Sequence, residues 1–270
     1  MNLPPPSQGF TTAPAGAPLV HEVSAGRGAW WWSEAWRLFK AAPGIWILIV
    51  ILFMSVTLLV SLVPVLGWLV VQILTPVVTG GLMLGCRAID RGEPLTVGHL
   101  VAGFSTQASP LMIVGLIYTL LAIACAVVIF GLVFMLFGAS VLAQLFSVQD
   151  PVQIGTALGG LVLAFLIAAL AFLLLFAPLV MAVWFAPALV VLRGVEPAAA
   201  MKLSFVASLR NVLPMLVYGL VFIVLAIVAS IPLGLGWLVL APMAIATIYT
   251  AYCDIFEGPS VARPPAAPVT

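Results

Sequence analysis

The stretch IWILIVILFMSVTLLVSLVPVLGWLVVQILTPVVTGGLMLGC, Ile45 to Cys86, contains no Asp, Glu, Lys, Arg or His. A helix crossing the hydrocarbon core of a bilayer needs about 20 such residues. This stretch is roughly twice that length, and near its middle lies PVLGW, Pro64–Trp68, a Pro/Gly turn with a tryptophan. It reads as two membrane-spanning helices joined by a tight turn, with the Trp at the lipid–water interface.

Three more blocks lack charge: Leu111–Gln149, Val152–Leu192 and Val212–Cys253. Over 270 residues, 64% are hydrophobic and 6% charged, and the mean hydropathy is +1.31. Soluble domains carry roughly 25% charged residues, so a soluble globular protein is excluded. A net charge of +1 and the lack of a basic patch interleaved with aromatics give no footing for nucleic-acid binding. Residues 1–27 and 258–270 are rich in Pro, Ala and Gly or Val and read as disordered tails around a membrane domain over 28–257. The first tail has no apolar centre and is not a signal peptide. Cys86, Cys125 and Cys253 form no disulfide framework and read as reduced apolar fillers.

The last block divides like the first, at IPLGLGW, Ile231–Trp237. The run ending at Leu192 is harder to divide. It is interrupted by Pro178 and Pro187 and exceeds one span in length. Read as a single span, it gives six helices and sets all nine basic residues on one side: Arg27, Arg37, Lys40, Arg87, Arg91, Arg193, Lys202, Arg210 and Arg263. The opposite loops then carry only Asp150. Read as two spans, it moves the last four of those basic residues across. Lys and Arg concentrate in cytoplasmic loops, which selects six spans with both termini in the cytoplasm of a bacterial inner membrane. The surplus length of span 4 is assigned to tilt, a kink at Pro178, a re-entrant segment or a projection past the interface.

Internal repetition is visible beneath the hydrophobicity. The turns SLVPVLGWLV (Ser61–Val70) and SIPLGLGWLV (Ser230–Val239) nearly superimpose, and each returning span holds an internal proline and ends in a glycine–proline exit. From Pro76 to Pro94, Pro178 to Pro197 and Pro242 to Pro259 the separations are 18, 19 and 17 residues. Each outgoing span has a lead-in: AWWWSEAWRLFKAA, LTVGHLVAGFSTQAS or AAAMKLSFVASLRNVL. In the first of these Trp32, Trp36 and Phe39 share one helical face, as expected of an amphipathic helix anchored in the interface. The fold expected is an all-α membrane protein of three pseudo-repeated hairpins with interfacial lead-in helices.

Two groups of residues are candidates for a site. The exit CRAIDRGEP (Cys86–Pro94) concentrates Arg87, Asp90, Arg91 and Glu93, and the exit LRGVEP adds Arg193 and Glu196. A structural reading accounts for the first exit: the arginines orient span 2, Asp90 pairs with Arg87 three residues away, and Gly92 ends the helix. The same residues suit anionic lipid headgroups. The second group is Gln72, Thr75 and Thr79, a polar stripe beside Pro76. Lining a substrate path is one reading, and interhelical bonding with close packing at Gly81-xxx-Gly85 is the other. The stripe is present in one copy of the repeat only, which favours packing. No catalytic, metal-binding or cofactor-binding motif is found, and neither His21 nor His99 has a partner spaced for catalysis or metal.

WSEAWRLFKAAPGIW (Trp32–Trp46), the run from Leu74 to Phe104 and the run from Trp184 to Gly219 resemble a family of uncharacterised bacterial six-span inner-membrane proteins. A more distant resemblance is to the membrane domain attached to some glycerophosphodiester phosphodiesterases. That likeness lies in the Phe-to-Pro spacing before spans. No phosphodiesterase domain is present, so no catalytic residue carries over. These resemblances imply membrane location and no activity. The expectation is a non-enzymatic membrane-organising or accessory protein without a cofactor; the alternative is a facilitator or exporter of a small or lipid-like molecule.

Overall fold

A computed structural model describes residues 20–147 and 151–258, and every regular element among them is helical. In chain order these are α1 (Arg27–Ala41), α2 (Pro43–Ser61), α3 (Leu66–Asp90), a 3-10 turn (Val97–Leu100), α4 (Ala102–Thr106) and α5 (Ala108–Ser147). They are followed by α6 (Pro151–Trp184), α7 (Ala186–Arg193), α8 (Pro197–Arg210), α9 (Val212–Ser230), α10 (Trp237–Tyr252) and a π turn (Cys253–Glu257). Six segments are long and apolar enough to cross a membrane: 43–61, 66–90, 108–135, 162–193, 212–230 and 237–257. The chain is an all-α membrane protein.

Local chemistry explains the ends of these helices. Pro43 and Pro197 sit in the first turns of α2 and α8, where a missing N–H costs nothing. The exit glycines Gly92, Gly194 and Gly258 all adopt positive φ, at 78°, 65° and 94°, a backbone region that a Cβ disfavours. The helical break in the fourth span falls at Phe185, ahead of Pro187. It does not fall at Pro178, which α6 accommodates within its length. Pro187 lacks an N–H and its ring crowds the carbonyl four residues back, so the helix opens there. The Ser204 hydroxyl of α8 fills the gap, accepting from the Phe185 N–H (2.9 Å) and donating to the Met181 carbonyl (2.7 Å). Those two backbone groups would have bonded to each other in an unbroken helix.

The hydrophobic core lies at the end of the bundle where both described termini sit. α2 buries only Trp46, Ile49 and Val50 in its first two turns, whereas α10 is buried from Leu240 onward along one face and then almost completely. α1 is built into this core. Trp31 is fully buried, and the Trp32 ring stacks on Tyr218 and Phe222 of α9 at 5.1 and 5.9 Å. The expected membrane-anchoring face of α1 is therefore corrected. Trp32 and Phe39 pack against protein, and of the three aromatics only Trp36 is exposed. The Gly81-xxx-Gly85 surface is closely packed, as expected. It faces the lead-in segment, where a Cβ on Gly81 would lie 2.4 Å from the His99 carbonyl and one on Gly85 2.7 Å from Leu95.

At the opposite end the helices are covered by little protein. Leu58, Leu59, Leu62, Val65 and Leu66 are exposed, as are Ile231, Leu233 and Leu235, which suits a lipid surround. The middle hairpin differs in length. α5 has 40 residues and α6 has 34, against 19 for α2 and α9. At 1.5 Å per residue, α5 spans about 60 Å, more than the roughly 40–45 Å of a whole bilayer.

Candidate functional site: a charged junction at the terminal end

The three hairpins return their chains to one end of the bundle, and their exits meet there. Arg87, one turn from the end of α3, pairs with Glu257 of the π turn. Asp90 pairs with Arg37 of α1 at 2.8 Å, and Arg37 also holds Glu34 at 2.8 Å. The expected Arg87–Asp90 pair along one helix face is replaced by two pairs between elements far apart in sequence. Burial works against the charge of Arg37, but the hydrogen bonds to Asp90 and Glu34 outweigh it and raise the pKa. From the second exit, the Arg193 Nε donates to the Tyr252 hydroxyl (3.0 Å) and its Nη2 to the Phe256 carbonyl (2.5 Å). Glu93 and Glu196 are exposed and make no ion pair with this network among the described residues.

Beneath the junction is a pair that sequence reasoning missed. Asp254 is 2% exposed and accepts from the Arg27 Nε (2.6 Å), the Arg27 Nη2 (2.5 Å) and the Trp31 Nε1 (3.0 Å). An isolated buried carboxylate would be costly, and these three donors satisfy it. Arg27 also lies over the Trp30 ring at 3.7 Å. The segment before α1, inside the stretch expected as a tail, is held as well. His21 N–H donates to the Ile255 carbonyl (2.8 Å), while buried Asn211 accepts from Val23 N–H (2.9 Å) and donates to the His21 carbonyl (3.1 Å). One signal for these links was available. The third exit, DIFEGP, carries two acids and no base, and the other exits carry the arginines.

Arg87, Asp90, Arg91, Tyr249 and Glu257 line a cavity of about 260 Å³. The intramembrane stripe has no comparable arrangement. Gln72 is within hydrogen-bonding reach of Tyr118 on α5. Thr75 is exposed, and its hydroxyl donates to the Val71 carbonyl of its own helix (2.7 Å). Thr79 is half-buried. His99 serves locally, its Nδ1 accepting from the Thr96 N–H at 3.1 Å in the cap of the 3-10 turn. Among the described residues no group of three or more His, Cys, Asp and Glu is placed to hold a metal ion.

No protein-family model and no solved structure matches the chain. It is similar to a bacterial membrane protein. That relative, from Burkholderia thailandensis and named a probable inner membrane protein, is 29% identical over 249 residues. The match covers 87% of this chain and 90% of the relative. The comparisons do not connect the chain to the membrane domain of phosphodiesterases.

Proposed function

We propose that this chain is a non-enzymatic, membrane-organising or accessory protein of a bacterial inner membrane. Both termini are cytoplasmic, and the protein works through the face where its exits meet. The observation carrying this reading is the division of charge on that face. Arg27, Arg37 and Arg87 are tied to acids and lock the fold, whereas Arg91, Lys202 and Arg210 are exposed. Inner-membrane location is supported by the relative's name, and cytoplasmic termini by the basic residues, which among the described residues all fall at the terminal end. The position of Gln72 within reach of Tyr118 and the outward aspect of Thr75 weigh against the transporter alternative.

Deleting the gene should alter the lipid composition of the inner membrane. Wild type and Gln72→Leu should restore it, and a combined Arg91→Gln, Lys202→Gln, Arg210→Gln variant should not. Unchanged lipids, with a solute sensitivity that only intact Gln72 relieves, would overturn the reading in favour of transport. Orientation has its own test in a cysteine-free background. A cysteine at Gly234 should label from outside and one at Gly98 only after the membrane is opened; the reverse pattern would place the face in the periplasm.

A further inference from the structure

The middle hairpin does not end where the other two do. α5 runs antiparallel to α3, with Leu111 against Gly80 and Gly115 against Ile73, so closely that neither glycine has room for a Cβ. Ile73 lies about seven residues from the far end of α3 at Leu66, so α5 passes that end near residue 122. It then runs on to Ser147, about 25 residues or 37 Å further. α6 returns beside it from Pro151, with the Cys125 thiol 4.0 Å from the Leu175 carbonyl. Tilt does not draw this length into the bilayer, because the contact at Gly115 ties α5 to α3, which ends at the turn. Trp68 and Trp237 stand beside the turns of the other two hairpins and suit the lipid–water boundary there. The middle hairpin therefore projects beyond that boundary.

What projects is apolar. From Leu111 to Gln149 there is no Asp, Glu, Lys, Arg or His, and Asp150 falls between the two helices. Val127, Phe130, Gly131 and Phe134 recur at three- and four-residue spacing and share one face of α5. Phe130 is 73% and Phe134 61% exposed, and their rings stack at 6.4 Å between centroids. Between them a Cβ on Gly131 would meet nothing within 4 Å, so the face has an open notch flanked by two rings. Past the bilayer, water would surround this face, and apolar surface on that scale marks an interface.

We propose that the projecting hairpin is where two copies of this chain pair, through the α5 face that carries Val127, Phe130, Gly131 and Phe134. A two-fold axis brings each part of a face onto its own copy, so an uncharged apolar face is complementary to itself. The same lack of charge gives a different protein nothing to be selected by. The size also fits. A hairpin about 37 Å long and about 20 Å across two helices presents on the order of 700 Å², close to the roughly 800 Å² per partner of a stable interface. This inference lies at the end away from the charged junction and does not rest on the role proposed for that face.

The test measures the mass of the full-length protein by light scattering, in detergent and in nanodiscs, over a range of concentrations. The expected wild type is a dimer. The double variant Phe130→Ser, Phe134→Ser should dissociate at least about tenfold more readily while keeping its helical content, since both side chains are exposed. A second arm uses single cysteines in a cysteine-free background and a short bismaleimide cross-linker on native membranes. Gly131→Cys, placed in open space, should give a cross-linked dimer. Leu59→Cys, exposed on α2 at the level of the bilayer, should not. A wild type that stays monomeric would overturn the proposal, whether Gly131→Cys is then shielded by lipid or open to a water-soluble maleimide. So would a dimer that survives the double serine variant, or cross-linking at Leu59→Cys as efficient as at Gly131→Cys. A different protein held at Gly131→Cys in equal amount, in place of a second copy, would also overturn it.

Discussion

Two returning spans, α10 and α6, have the same outline, an apolar helix around an internal proline, and opposite surroundings. In an 18-residue apolar stretch of the span ending in α10, 67% of the residues are buried at a mean hydropathy of 1.5. In the corresponding stretch of the span that begins in α6, 11% are buried at 2.8, although α7, where that span ends, lies in the core. The third returning span, α3, falls between them at 44% and 1.8. Burial thus runs against hydropathy. Lipid tails are as apolar as Leu, so a helix facing them gains nothing from polar or small residues, whereas a helix packed in protein uses both. Thr247 and Thr250 of α10 illustrate this, their hydroxyls bonding to the Ala244 and Trp31 carbonyls at 2.7 and 3.2 Å. The last returning span is the most buried of the six, and α5 and α6 of the middle hairpin pack on α3 and α8 instead of on it.

That contrast is open to attack at four positions, each read as a stability change on thermal unfolding of the purified protein. Asp254→Ala should cost most, about 3–5 kcal/mol, because it strands the Trp31 indole N–H and leaves Arg27 without its partner. A loss under 1 kcal/mol would show that α1 is not locked to the last exit. Gly28→Ala comes next at about 1–3 kcal/mol, since its Cβ would lie 2.0 Å from the Pro214 carbonyl where α1 crosses α9. Ser204→Ala should cost about 1–2 kcal/mol by unpairing the Phe185 N–H and leaving the Met181 carbonyl only the longer bond from the Ser208 hydroxyl (3.4 Å), and Ser204→Thr should recover part of it. On the lipid side, Leu174 of α6 is 72% exposed, and Leu174→Ala should stay within about 0.5 kcal/mol. A cost of 2 kcal/mol or more there would place α6 in a protein interface and break the comparison.

Span number, the tight turns and the exit glycines were legible because each depends on residues adjacent in sequence. Charge-free length specifies a span, and Gly92 or Gly194 ends a helix through its own φ. Hydropathy also ranked the spans by burial, had lower values been read as a mark of inner position. What escaped depends on side chains that meet only once the helices pack. The acid-only exit around Asp254 signals that a base must come from elsewhere but does not single out Arg27, and the i,i+3 spacing of Arg87 and Asp90 points to each other. The packed face of α8 was obscured for another reason. Apart from Met201 it is built from Ala200, Ser204, Ala207 and Ser208, small residues that an apolar pattern search passes over. The aromatic face of α1 suggested a membrane anchor because periodicity identifies a buried face and not the material that buries it.

The central claim is that the charged exits are tied across hairpins, and a pair of double-mutant cycles tests it most directly. Arg87→Gln and Glu257→Gln are measured singly and together, beside Arg87→Gln with Asp90→Asn. The account predicts coupling of about 0.5–1 kcal/mol between Arg87 and Glu257, which are partly exposed, and additivity within about 0.3 kcal/mol for Arg87 with Asp90. Coupling between Arg87 and Asp90 with none to Glu257 would contradict it, returning the charged exit to a local device of a single helix.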